Sequence, residues 1–362
     1  MNRRNQVAMA IAAITVITIG GAILYLSSRG VTYSKYRYPL WSEWDWKVYD
    51  HLQVADLNGD EIDDVVISGF ESLEVLFQNS TGQFERRSQL LSSGTSGRFL
   101  LEDLNGDSFP DICDDNGSGL VTLINDGSGN FAISQKLPLS GRCPFSYHSG
   151  AATVPDIGVL KIGQNHRLVM MSNNGSGFFA FEQNVTLTSS VNQWDILSHD
   201  FNQDEEDEIA IIQSDGNLTV FSLNSSERLH LNVSQYISQV YVAWLIAADI
   251  DGNGIDDIGL ASTLGPNKGV VVFFSLDSLA TGAPIIERIY STGCLGADTA
   301  DLDGDSDLDI ILCTYQGSIV ALENEGTGSI SNEVVFTGFI TPHSPTVIDL
   351  VGQPSPAIIF LA

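Results

Sequence analysis

Five nine-residue stretches of this chain place oxygen-bearing side chains at positions 1, 3, 5 and 9. The first carries Asp56, Asn58, Asp60 and Asp64, and the second Asp103, Asn105, Asp107 and Asp111. The third has Asp200, Asn202, Asp204 and Glu208. The fourth has Asp249, Asp251, Asn253 and Asp257, and the fifth Asp301, Asp303, Asp305 and Asp309. Carboxylates packed this closely repel one another unless a cation sits among them. Hard oxygen ligands on a flexible loop suit Ca²⁺, which takes about six to eight of them. On this reading the carbonyls of Ile62, Phe109, Glu206, Ile255 and Asp307 add a ligand at position 7, and five structural calcium sites are expected. Glycine at position 4 (Gly59, Gly106, Gly252, Gly304) permits the left-handed backbone of a tight turn. The third loop departs, with Gln203 there and Glu208 at position 9.

These are not EF-hands. An EF-hand loop ends in a bidentate Glu at its twelfth position and lies between two helices. The twelfth positions here are Ile67, Asp114, Ile211, Leu260 and Leu312. Each loop instead follows a short apolar run such as Leu52–Ala55 and precedes a β-branched run such as Val65–Ile67 or Ile310–Leu312, so each joins two strands.

The loops begin at residues 56, 103, 200, 249 and 301, and the one long interval equals two periods. A degenerate unit therefore lies near residue 150, where Pro155-Asp156-Ile157 echoes Pro110-Asp111-Ile112. A seventh begins at Asp349, and neither should hold metal. A second motif, Asn125-Asp-Gly-Ser-Gly-Asn-Phe131, returns at Asn79–Phe84, Asn173–Phe179 and Asn324–Ile330 after apolar runs, and reads as a tight hairpin. Each unit is then strand, calcium loop, strand, short loop, strand, Gly-rich hairpin, strand. Units of this length arranged radially make an all-β, seven-bladed β-propeller of four-stranded blades.

These loops and hairpins resemble the FG-GAP/VCBS repeats that form the calcium-bearing propeller of integrin α chains, over about residues 45–362. The resemblance implies structural calcium. It also implies a ligand face opposite the calcium loops, built here from connections such as 114–119, 140–148 and 262–268. It does not name a ligand.

Residues 7–26 are uncharged and, as a helix at about 1.5 Å per residue, match the hydrocarbon thickness. They are expected to form a transmembrane signal anchor behind a cytoplasmic tail, residues 1–6. Residues 27–50 form a juxtamembrane segment, and the propeller occupies 51–362. Weak extracellular-type calcium loops put the propeller outside, in the periplasm or at the cell surface. The last unit has only two strands before the sequence ends, so Val31–Tyr38 is expected to pair with it and close the ring. Trp41, Trp44 and Trp46 read as a membrane-proximal belt or a cover for the propeller's edge.

With 45 acidic against 16 basic residues, net −29, the chain is not built for nucleic acid. No nucleophile, zinc or phosphate-loop motif appears, so no catalytic residue is assigned. Cys294 and Cys313 flank the fifth loop and read either as a disulfide or, with Cys113 and Cys143, as buried thiols. The functional expectation is a membrane-anchored protein- or glycan-binding adhesion module. The alternative is a polysaccharide- or lipid-processing enzyme on a propeller scaffold.

Overall fold

The computed structural model describes residues 14–19, 22–27, 35–38 and, short connections aside, 49–361. Its first strands are Ile14–Ile19 (β1), Ala22–Ser27 (β2) and Lys35–Tyr38 (β3). Blade one is Tyr49–Ala55 (β4), Asp64–Gly69 (β5), Ser72–Gln78 (β6) and Phe84–Leu91 (β7). Blade two is Leu100–Glu102 (β8), Asp111–Asp115 (β9), Leu120–Asn125 (β10) and Phe131–Leu137 (β11). Blade three is Arg142–Tyr147 (β12), Asp156–Lys161 (β13), Arg167–Asn173 (β14) and Phe179–Thr186 (β15). Blade four is Ile196–His199 (β16), Glu208–Ile212 (β17), Asn217–Leu223 (β18) and Leu229–Tyr236 (β19). Blade five is Val242–Ala248 (β20), Asp257–Gly265 (β21), Lys268–Phe274 (β22) and Ile286–Tyr290 (β23), with a helix Leu276–Thr281 (α1) before its last strand. Blade six is Cys294–Ala300 (β24), Asp309–Thr314 (β25), Ser318–Asn324 (β26) and Ile330–Thr337 (β27). His343–Ile348 (β28) and Ala357–Leu361 (β29) end the chain.

Each blade is an antiparallel meander in chain order, as its alternating pattern predicts. The middle strands are buried on both faces, while outer strands such as β15 and β19 alternate toward solvent. The core is divided among the gaps between sheets. Val66, Val75 and Phe77 of blade one pack on Ile112, Val121 and Leu123 of blade two. Equivalent apolar clusters lie between blades two and three, three and four, four and five, and five and six. Ile358 and Phe360 pack on blade six, whereas Ile348, Ile359 and Leu361 pack on blade one. The β28–β29 pair thus fills the gap between the last and first blades.

Two expectations need correction. Among the described residues six sheets are four-stranded blades, not seven. The remaining sheet is five-stranded, in the order β28-β29-β2-β1-β3. No helix among the described residues is long and apolar enough to cross a membrane. Where a transmembrane helix was expected, β1 and β2 pair antiparallel, from Ile14 opposite Ser27 to Ile19 opposite Ala22. The physical reason lies in the composition. Every residue of Ile14-Thr-Val-Ile-Thr-Ile19 is β-branched, and Gly20-Gly21 follows, a pair that two-residue hairpins favour. The strand beside β29 is β2, while β3 pairs in parallel with β1. Lys35–Tyr38 therefore joins the expected sheet but not the expected neighbour. The tryptophans at 41, 44 and 46 lie outside the described residues.

One interaction links blades that are not neighbours. Arg98, just before β8, forms an ion pair with Asp195, just before β16. Asp195 also accepts a hydrogen bond from the Leu245 backbone N–H on β20, at 2.6 Å. Blades two, four and five meet here on the inner side of the ring. Burial holds the Asp195 carboxyl above the usual range despite the opposing pull of Arg98. Removing one partner of a buried pair strands the other charge. Arg98→Ala should therefore lose about 3–5 kcal/mol of stability in urea unfolding. A loss below about 1 kcal/mol would mean that water already screens the pair.

Candidate metal centres

The five acidic loops share one backbone conformation. Position 4 is left-handed in all of them: Gly59 (φ 75°), Gly106 (81°), Gln203 (58°), Gly252 (74°) and Gly304 (82°). Gln203, which broke the glycine pattern, adopts the same geometry. Its side chain donates to the Gly254 carbonyl of the next blade's loop at 2.6 Å. Position 6 is also left-handed, with Glu61, Ser108, Glu205, Gly254 and Ser306 at φ 63–84°. Only Gly254 gave a sequence signal for this second turn.

Side chains hold this conformation. The position-1 carboxylate accepts the position-6 N–H in every loop, at 2.7–3.0 Å: Glu61 to Asp56, Ser108 to Asp103, Glu205 to Asp200, Gly254 to Asp249 and Ser306 to Asp301. The position-5 side chain accepts the position-7 N–H in every loop, so Asp60, Asp107, Asp204, Asn253 and Asp305 are oriented by Ile62, Phe109, Glu206, Ile255 and Asp307. The Phe109 ring also covers Gly127 of its own hairpin and Gly59 of the neighbouring loop.

The position-9 carboxylate is the buried element. Asp64, Asp111 and Asp257 are wholly inaccessible, and Glu208 and Asp309 nearly so. Each accepts the position-2 N–H, from Leu57, Leu104, Phe201, Ile250 and Leu302. Burial first, and neighbouring carboxylates after it, push Asp64, Asp111, Glu208 and Asp257 up to about 7 and Asp309 to about 6. Asp303 is likewise pushed up to about 7, by burial and then by Glu323 and Asp305.

Two loops bring three carboxylates together. One oxygen each from Asp249, Asp251 and Asp257, and from Asp301, Asp303 and Asp309, lie within 4.8 Å of one another. In loops one and three, position 3 is an asparagine that turns its amide nitrogen inward. Asn58 donates to Asp64 at 3.1 Å and Asn202 to Glu208 at 2.8 Å. Asn105 donates instead to Asp107 at 2.9 Å. An amide turned over presents oxygen in the same place. The residues fit a hard divalent cation on two grounds. Their donors are all oxygen, and the buried Asp257 Oδ1 has no hydrogen-bond partner among the described residues. Asp249, Asp251, Asp257, Asp301, Asp303 and Asp309 would hold such an ion most directly.

The Gly-rich hairpin proves to be part of the same construction. The Asn125 N–H donates to Asp111, and its side-chain amide donates to Pro110 O of its own loop and Leu57 O of the previous blade's loop. Asn173 does the same with Asp156, Pro155 O and Leu104 O, and Asn324 with Asp309, Leu308 O and Ile250 O. In blade one this role falls to Gln78, which contacts Asp64, Asp63 O and Asp349 O. Aligning Asn79 with Asn125 is therefore off by one, and Asn79 instead matches Asp126 in capping the turn. In the degenerate unit three, Asp156 keeps this link and also accepts from Ser149, though positions 1, 3 and 5 carry no acid.

All four cysteines are free and buried, so the disulfide alternative is not realised. Burial pushes the Cys294 thiol up to about 12, leaving it an inert core side chain.

Asn125→Ala would leave the Leu57 and Pro110 carbonyls without that donor. We expect a loss of about 2 kcal/mol or more in equilibrium unfolding. Stability unchanged within error would show that the amide is not a clamp.

Comparison with known proteins agrees with this geometry. Residues 56–113, the first acidic loop through β9, match the FG-GAP-like repeat. A search of curated protein sequences finds no match. Among solved structures, an Agrocybe aegerita lectin that recognises non-reducing terminal N-acetylglucosamine aligns with a TM-score of 0.59 and 15% identity, over 96% of this chain and 94% of that one. Crystals of BBS1N in complex with ARL6DN give a TM-score of 0.57 and 12% identity, over 86% of this chain and 92% of that one. At such identities the likeness concerns the fold alone. The chain is thus a β-propeller whose residues 56–113 match an FG-GAP-like repeat.

Proposed function

We propose that this protein is a calcium-stabilised propeller working outside the cytoplasm as a binding module for a glycan or a protein surface. The observation that carries the reading is the use made of its acidic groups. The carboxylates at positions 1 and 9 fold the loops and tie them to the third strand of the same blade, which supports a metal that is structural. Solved structures of like fold include a lectin that recognises N-acetylglucosamine and a chain in complex with a protein partner, so both ligand classes belong to this reading.

The apolar character of the run 7–26 supports a membrane-associated form. Extraction at alkaline pH tests this. A membrane-associated chain stays with the membrane, and deleting residues 1–28, which removes β1 and β2 from the last sheet, should release it with a lower melting temperature. An unchanged melting temperature after that deletion would place the run outside the ring.

The enzyme reading has one observation in its favour. Arg98 and His343 lie close enough to His51, on the inner side of the ring, to influence it. Burial first, then Arg98 and His343, push His51 down to about 3, which leaves it a weak base at neutral pH. Asp195 is engaged by Arg98. The binding reading is preferred.

A ligand that binds only the folded state stabilises it, by about 2.7 kcal/mol per site at a hundredfold excess over Kd. Melting in millimolar calcium should therefore lie several degrees above melting in chelator. Identical melting temperatures would overturn the structural-metal reading.

A further inference from the structure

Blade five departs from the pattern of most other blades. Where blades one, two, three and six have a Gly-rich hairpin with an Asn or Gln clamp, it has α1, closed by the left-handed C-cap Gly282. The end of α1 rests against the outer strand of blade four, since a Cβ added at Gly282 would meet the Gln235 amide at 2.9 Å. Between this edge and the face of blade five lies a cleft of about 310 Å³.

We propose that this cleft binds a neutral saccharide ring, an inference that rests on the glycan-binding reading above. Its floor is apolar and buried, formed by Val272 and Phe274. Tyr236 stands at its lip and is 57% exposed, an aromatic face held open to solvent. Gln235, Lys268 and Glu287 supply an amide, an ammonium and a carboxylate around it. Neither the Lys268 nor the Glu287 side chain has a hydrogen-bond or ion-pair partner among the described residues. The cleft therefore offers one charge of each sign and no net charge. A phosphate or a uronate chain would gain no net attraction here and would meet a protein of net charge −29. A neutral sugar ring matches the lining. Its C–H face lies on tyrosine and the aliphatic floor, and its hydroxyls meet the polar groups at the edge. The volume is at the lower end of ligand pockets, about 300–1,000 Å³, and suits one or two sugar units.

The test is calorimetric titration of the full chain in calcium with methyl glycosides of glucose, galactose, mannose, N-acetylglucosamine and N-acetylgalactosamine. Wild type should bind at least one of them. Tyr236→Ala and Glu287→Gln, each checked for an unaltered melting temperature, should weaken that binding tenfold or more and about threefold or more, respectively. Two substitutions at exposed positions guard against one of them disturbing the fold. If wild type binds a sugar and neither variant reaches its stated loss, the cleft is not the site and the glycan reading stands. If wild type binds none of the five, both are overturned.

Discussion

The fold depends on a buried carboxylate at the start of the second strand in each acidic unit. Asp64, Asp111, Glu208, Asp257 and Asp309 sit where water is excluded, yet each must satisfy backbone donors from the loop it closes. In blades one, two and six the same carboxylate also accepts from the end of the third strand. One side chain thus sets the conformation of the calcium-type loop, the depth of the hairpin and the register between them. Unit three separates the two roles of the motif. It lost the acids at positions 1, 3 and 5 but kept Asp156, whose bonds to Ser149 and Asn173 are wholly structural. The position-9 acid is therefore needed for the blade whether or not a loop has the composition to hold metal.

That arrangement concentrates negative charge where the dielectric is low. The acids at position 9 are raised well above ordinary carboxylates, chiefly by burial. A divalent ion among them favours the ionised form and offsets their repulsion. A metal bound there would be coupled to the fold, because one carboxylate would serve both.

Local features were legible in the sequence because spacing determines them. The five loops, the hairpins and the four-strand meander follow from residues a few positions apart. The second left-handed position was hidden because Glu61, Ser108, Glu205 and Ser306 give no sign of it. Gln78 was hidden because Asn79 beside it looks like the motif, while Gln78 is one methylene longer and does the clamping. The N-terminal run satisfies two rules at once: it is long and uncharged enough for a bilayer helix, and β-branched enough for a hairpin. The Arg98–Asp195 pair joins residues far apart in the chain, which no local pattern records. The cleft beside α1 did have a signal, the missing Asn-x-Gly-x-Gly turn in unit five, and its meaning depends on what the neighbouring blade presents to the gap.

The most direct test of this account is anomalous diffraction from crystals grown in calcium. The account predicts an ion in each of the five acidic loops, ligated by the side chains at positions 1, 3 and 9, and none beside Asp156 or Asp349. Crystals whose five loops hold only water, with the position-9 carboxylates bonded solely to the backbone, would contradict it.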